Sequence, residues 1–458
     1  MNEMMIDILS IGWKGIAKIV GDDWADVKQA LLADMANLDK QADPNNDHMV
    51  DMIAHHLQPY PDALKHINEI CEGVMGHRMD EFEVAEPEPE MMPIDDDEFI
   101  DDEDFVDESV VEESRGFTES GEAEAEPFAA EDEGFYRVPV YFATNRKRDK
   151  RYKLERSHLA FTGKPSDEMH YGLAQVSMPE THVPGKLEGP GRIFDRKPDP
   201  KKHILVLSVD LKDKSTFISD ANKSLAEADE KEALVYIHGY NVSFGGALRI
   251  TAQVATDLEF KGIPITYSWP SRAKTLRYLA DEKSIAHGQK YFDAFLKMII
   301  EELDITKIHI LAHSMGNRLA TLGMQNLSAD VAGDKLGQVI FASPDVDRGD
   351  FAERAKKFAG KADRYTLYIN DDDLALELSQ VIHFGPRAGE KDDAPLVVDP
   401  VDTVDATPIE TSLLGHSFYQ RDTTVIEDIV RLITQDLAPP RPNLFEIAEG
   451  KTYWEFRR

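Results

Sequence analysis

The spacing of apolar positions changes character twice along the chain. Ahead of residue 80, four stretches carry helical periodicity: Ile11 to Val20, Asp23 to Leu38, His48 to Leu57 and Asp62 to Met75. Trp24, Val27, Leu31 and Met35 recur at the three-to-four spacing of an amphipathic face. Asp22 or Asp23 can cap the second stretch, and Pro59 and Pro61 interrupt the chain between the later two. A small helical bundle is therefore expected over residues 1–80. Over residues 81–134 all periodicity is lost. From residue 135 to 458, short β-branched runs alternate with longer helical segments, which predicts an α/β domain. The candidate strands are Arg137 to Ala143, Ile204 to Val209, Ala233 to Ile237, Ile265 to Trp269, Lys307 to Leu311, Gln338 to Ala342 and Arg364 to Ile369. The candidate helices include Gly246 to Phe260, Ser284 to Leu303, Asn317 to Leu327 and Thr424 to Leu437.

Composition explains the middle segment. From Asp80 to Gly134 there are about 25 carboxylates against one base, Arg115, interleaved with Pro87, Pro89 and Pro93, a mixture that resists compact folding. It reads as an acidic disordered linker. Acidic blocks alternating with Phe99, Ile100, Phe105 and Val106 give it some character of an interaction segment, although a solvated spacer is the favoured reading. The linker holds most of the excess behind the net charge of −35, so the folded parts are only moderately acidic. An acidic surface repels phosphate backbones, which argues against a nucleic-acid partner. No run approaches the ~18 apolar residues of a membrane span, so no transmembrane segment is expected. Glu3 and Asp7 stand where a secretory signal carries bases, and the single cysteine, Cys71, cannot form an intramolecular disulfide. A cytoplasmic location follows as the expectation. His55, His56 and His66 lack metal-ligand spacing, and no metal or organic cofactor is called for.

The chemistry gathers around Ile308-His309-Ile310-Leu311-Ala312-His313-Ser314-Met315-Gly316, an apolar strand running into a small-x-Ser-x-Gly turn and then a helical pattern. This is the context of a nucleophile elbow, where a tight turn projects a serine hydroxyl from a strand end. Small residues are needed there because bulkier ones would meet neighbouring backbone. His313 fits the variable position of the turn better than a catalytic base. A serine hydroxyl needs an imidazole to take its proton and a carboxylate to orient that imidazole, in the chain order Ser, acid, His. His416, in Gly415-His416-Ser417-Phe418 just before the last helix, is favoured over His383. Three carboxylates follow the strand ending at Ile369, and Asp373 is favoured as the acid because a short helical pattern begins right after it; Asp371 and Asp372, which could instead cap that helix, and Asp345 after the preceding strand are its rivals. The oxyanion would be held by the backbone N–H of Met315 and by that of Tyr240, or alternatively Asn241, in the His238-Gly239 loop. Trp269 reads equally as a pocket wall or a packed core aromatic. Arg387 reads better as an ion-pair partner than as an anion binder, and Thr144, Asn145 and Arg146 as a strand terminus with local hydrogen bonding.

At these residues the sequence resembles the α/β-hydrolase family catalogued as domain of unknown function 900. The resemblance runs from about Arg137 to Gly450. It rests on Val140 to Arg146, Tyr171-Gly172, Ile237 to Asn241, Tyr267 to Ser271, the elbow, Ala342 to Asp345, Asp373 to Leu376, Arg387 to Gly389 and Gly415-His416. It implies an α/β-hydrolase fold, a mostly parallel central sheet flanked by helices, with Ser314, Asp373 and His416 in triad positions. The N-terminal module and the linker lie outside it. The expected activity is serine hydrolysis of a carboxylic ester or related acyl bond, on a small-molecule ester or lipid. Two other classes compete. One is an effector or toxin hydrolase recruited by a protein partner through residues 1–80 or the linker. The other is a catalytically silent scaffold.

Overall fold

The computed structural model describes residues 134–149, 160–189, 198–272, 278–370, 386–391, 394–409, 423–449 and 451–457, with four isolated positions ahead of them, Val20, Val27, Pro59 and Tyr60. The helical module expected over residues 1–80 and the linker of residues 81–134, those positions and Gly134 apart, thus lie outside the described residues. Among those described, eleven strands form one sheet in the order β10-β11-β9-β8-β7-β6-β4-β5-β1-β2-β3. Their spans are β1 Phe135–Arg148, β2 Phe161–Pro179, β3 Val206–Lys212, β4 Glu232–Ile237, β5 Ile263–Ser268, β6 Lys307–His313, β7 Leu336–Ala342, β8 Arg364–Ile369, β9 Val401–Asp405, β10 Leu444–Glu449 and β11 Lys451–Phe456. All neighbours from β1 through β11 are parallel, while β2 and β3 on one flank and β10 on the other pair antiparallel.

Seven helices fill the connections among the described residues: α1 Lys214–Glu227, α2 Phe244–Asp257, α3 Tyr278–Glu302, α4 Gly316–Asn326, α5 Ala329–Ala332, α6 Arg348–Phe358 and α7 Thr423–Gln435. Side chains alternate across a strand, so each central strand must be apolar at every position if helices cover both faces. That pattern holds over most of β4 to β8, with Thr266, His309, Gln338 and Thr366 among the buried polar exceptions. Val235, Ile237, Ile308 and Ile310 pack with Phe217 of α1, Phe292 and Phe295 of α3, Leu319 of α4 and Phe351 of α6. Leu234, Tyr236, Leu311 and Ile340 point the other way, onto Val254 of α2 and Val425 and Ile429 of α7. None of the described helices is long and apolar enough to cross a membrane.

The strand order fixes where a site can form. From β4 the chain moves outward to β5, then crosses back over β4 to β6 and continues away through β7 and β8. Connections leaving β4 and β6 therefore diverge, which sets a topological switch point beyond the carboxyl ends of these two strands, the usual ligand position in open α/β sheets.

Away from that switch point, His182 lies between two carboxylates: Nδ1 is 2.8 Å from Glu188 Oε2 and Nε2 is 2.8 Å from Asp257 Oδ1. Burial alone would lower its pKa, but the hydrogen bonds to Asp257 and Glu188 outweigh that and raise it above the ordinary 6.5. The folded state thus binds this proton more tightly than the unfolded chain does. The resulting stabilisation is complete below about pH 6.5 and is lost as pH rises through the raised folded value. Thermal melts of wild type and His182→Gln across this range are expected to converge at the alkaline end; a difference constant with pH would show that the ring is not charged.

Candidate active site

β6 ends at His313, and Ser314 turns the chain into α4 with φ +48°, a left-handed conformation that costs a non-glycine residue energy. Surrounding bonds hold the turn in place. The Ser314 N–H donates to the Ala342 carbonyl at 3.0 Å. Asn317 Nδ2 donates to the carbonyls of Ser314 and Ala342, at 3.0 and 3.1 Å. The elbow also packs directly on the loop after β4. Added to Gly316, a Cβ would stand 2.5 Å from the His238 carbonyl oxygen. At Gly239 it would stand 3.0 Å from Ser314 Cβ and 2.8 Å from His313 Nδ1. The register of β4 on β6, with Ile237 opposite Ala312, continues so that Gly239 comes to rest against the serine.

The His238 loop is itself braced. The His238 ring is fully buried, stacks on Trp269 with centroids 5.0 Å apart, and lies with Nδ1 2.7 Å from the Gly239 carbonyl oxygen. Trp269 Nε1 donates to the His238 carbonyl at 2.7 Å. Burial, reinforced by the charge of Arg146, pushes the imidazole pKa down to about 3, so the ring is neutral at physiological pH. Asp281 accepts from Ser271 Oγ at 2.6 Å and from the Arg272 N–H at 2.7 Å, and the backbone of Asn241 also hydrogen-bonds to it. Desolvation raises the Asp281 pKa, against the lowering effect of these bonds.

Residues 213–435 match the family model described as alpha/beta hydrolase of unknown function (DUF900). With the parallel sheet and the elbow, that match decides the class. The chain is an α/β hydrolase resembling that family. A solved structure of a protein designated a candidate cell surface hydrolase, from Lactobacillus plantarum WCFS1, aligns over 44% of this chain and 90% of its own, at 10% identity and a TM-score of 0.28. At that TM-score the likeness adds nothing to the fold. No curated protein matches the sequence.

In this α/β hydrolase the expected site residues divide into two groups. Ser314, Met315 and the Gly239-Tyr240 segment come together at the carboxyl edge of β4 and β6. Asp373 and His416, with their rivals Asp371, Asp372 and His383, lie outside the described residues. Asp345 is described: it is buried, with Oδ2 3.3 Å from Arg318 Nη2 and Oδ1 3.5 Å from Arg387 Nε. Two guanidinium groups thus engage its carboxylate. Arg387 is an ion-pair partner, as expected from its setting, and Trp269 is a packed core aromatic with no exposed surface.

Arg146 departs from expectation. Its backbone N–H bonds locally as expected, to Thr144 Oγ1 at 3.1 Å, but its guanidinium reaches partners 92 to 125 residues away and one 16 residues away. The only signal available in sequence was its place at the end of an apolar strand, and the partners that give it meaning assemble only in the folded chain. Among the described residues there is no group of three or more His, Cys, Asp or Glu arranged to hold a metal ion.

Proposed function

We propose that this α/β hydrolase is a serine hydrolase cleaving a carboxylic ester or a related acyl bond. The observation that carries the reading is the strained, left-handed Ser314 at the carboxyl end of β6, at the sheet's switch point, with Gly239 packed against it. A serine kept at φ +48° by hydrogen bonds from three sides is strain that a purely structural turn could relieve with glycine.

In the proposed reaction the His416 imidazole accepts the Ser314 proton as Oγ attacks the acyl carbon, and the backbone N–H groups of Met315 and Tyr240 stabilise the oxyanion. The protonated imidazole then gives its proton to the departing alcohol. Water, deprotonated by the same imidazole, attacks the acyl enzyme, and the proton returns to Ser314 as the acid leaves. Asp373 orients the imidazole. Two observations support these assignments. β8 ends at Ile369, four residues before Asp373, and lies two strands from β6, so about 10 Å separates the strand ends and a four-residue stretch of up to ~14 Å can bridge them. The rival Asp345 has its carboxylate engaged by Arg318 and Arg387. The Asn241 amide is likewise drawn to Asp281, which favours Tyr240 as the second oxyanion donor.

A fluorophosphonate probe is expected to label the wild-type protein once, on the peptide containing Ser314. Absence of labelling, or labelling elsewhere, would refute the serine mechanism and leave the silent scaffold as the better description.

A further inference from the structure

Arg146 and His238 are buried titratable groups that the proposed reaction does not use directly. All five N–H donors of Arg146 are spent on uncharged acceptors. Nε donates to Ser268 Oγ at 2.9 Å. Nη1 donates to the carbonyls of Ser271 at 2.8 Å and Thr162 at 3.5 Å. Nη2 donates to the Val242 carbonyl at 2.8 Å and faces His238 Nε2 at 3.3 Å. Ser268 Oγ lies 3.3 Å from the same Nε2. Guanidinium is a donor only, and Ser268 Oγ, already accepting from Arg146, has its proton available for the ring. Nε2 must therefore present its lone pair, so the ring proton of the neutral imidazole sits on Nδ1.

Nδ1 lies 2.7 Å from an acceptor, the Gly239 carbonyl, and the Trp269 backbone also hydrogen-bonds to the ring. In a planar trans peptide the carbonyl and the following N–H point in opposite directions, so fixing the Gly239 oxygen fixes the direction of the Tyr240 N–H. That peptide begins at the residue packed against Ser314. We propose that Arg146 is a positioning residue: by holding His238 in the Nδ1–H tautomer it locks the Gly239–Tyr240 peptide in the orientation that serves the oxyanion. The inference rests on the serine-hydrolase reading for its catalytic part, whereas the tautomer can be tested without it.

Two measurements on the full chain test this. The first is nitrogen NMR of histidine-labelled protein, with the His238 signals assigned by their loss in His238→Asn. Wild type is expected to show a protonated Nδ1 and a bare Nε2, and Arg146→Met to lose or mix that pattern. The second is hydrolysis of p-nitrophenyl butyrate, together with the rate of fluorophosphonate labelling. In Arg146→Met, kcat and labelling rate are expected to fall about 100-fold, with KM changed less than about threefold, the signature of a lost transition-state contact. Arg146→Lys, which keeps the charge but not the fork, is expected to fall in between.

A residue that merely supports the fold would lower the melting temperature and leave kcat of the folded fraction and the ring pattern unchanged; that result overturns the proposal. A wild-type ring protonated on Nε2 overturns it too, even if Arg146→Met fails to fold. A wild-type protein that shows the expected tautomer but never reacts with the probe refutes the serine reading, and the catalytic role of Arg146 with it. Normal labelling of wild type and both Arg146 variants at one rate refutes the positioning role alone.

Discussion

Ser314→Gly is expected to yield a protein that melts higher than wild type and has lost ester turnover. The backbone at 314 sits at φ +48°, which costs a residue with a Cβ about 1–3 kcal/mol and costs glycine almost nothing. Glycine also gives the unfolded chain more freedom, which offsets about 0.5–1 kcal/mol of that relief. The relief outweighs the added freedom, leaving a net gain of about 1 kcal/mol. Turnover, by contrast, is expected to drop about ten-thousandfold or more, because the proposed acyl enzyme has no other atom on which to form. Ser314→Ala separates the two effects: it loses the same activity but keeps the Cβ and gains no stability. Thermal melts and p-nitrophenyl ester kinetics on the three proteins are the measurement. A Ser314→Gly variant less stable than wild type would show that the turn stores no strain.

Gly316→Val is expected to cost about 3 kcal/mol or more and to abolish labelling of Ser314 in whatever protein still folds. A Cβ there would stand 2.5 Å from the His238 oxygen and 2.7 Å from the Ile237 oxygen, closer than real contacts come. Both oxygens belong to backbone at the end of β4, which is hydrogen-bonded to β5 on one side and β6 on the other. Neither can retreat, so the elbow itself must lift. Gly288→Ala in α3 is the control: its Cβ meets only Asn145, at 3.7 Å, and helix propensity favours alanine. Equal melting temperatures for Gly316→Val and wild type would contradict the packing described.

The sequence announces the central strands because helices cover both faces and most positions are apolar; β8 occupies the span expected from its pattern, Arg364–Ile369, and β4 and β7 extend theirs by one or two residues. β9 is silent. Its Val-Asp-Thr-Val-Asp run buries Asp405 against Lys391 and pairs Asp402 with Arg364, so ion pairs stand where the pattern demands hydrophobes. α6 is similarly hidden: charged side chains fill most of its length, and only Phe351, Ala355 and Phe358 mark its buried stripe. β2 begins in a polar stretch containing Pro165, which reads as loop. At the site, the elbow was legible because its constraint is local, a requirement for small residues at fixed offsets. Arg146 was not, because its partners come from separate segments of the chain, the start of β2, the loop after β4 and the end of β5. A buried cation hydrogen-bonded to carbonyls, a hydroxyl and a neutral ring, with Asp281 acting on it only through its charge, leaves no pairing that the sequence could announce.

The C-terminal hairpin has a consequence for the chain as an object to be handled. β11 covers β9, and the outermost place passes to β10, a strand of six residues with Glu446 facing solvent. A shortened protein stopping after α7 would leave β9 with bare amides and carbonyls along its rim, a ready template for another molecule to add a strand. The hairpin thus acts as a stopper, and trimming it for convenience would invite the protein to grow into aggregates.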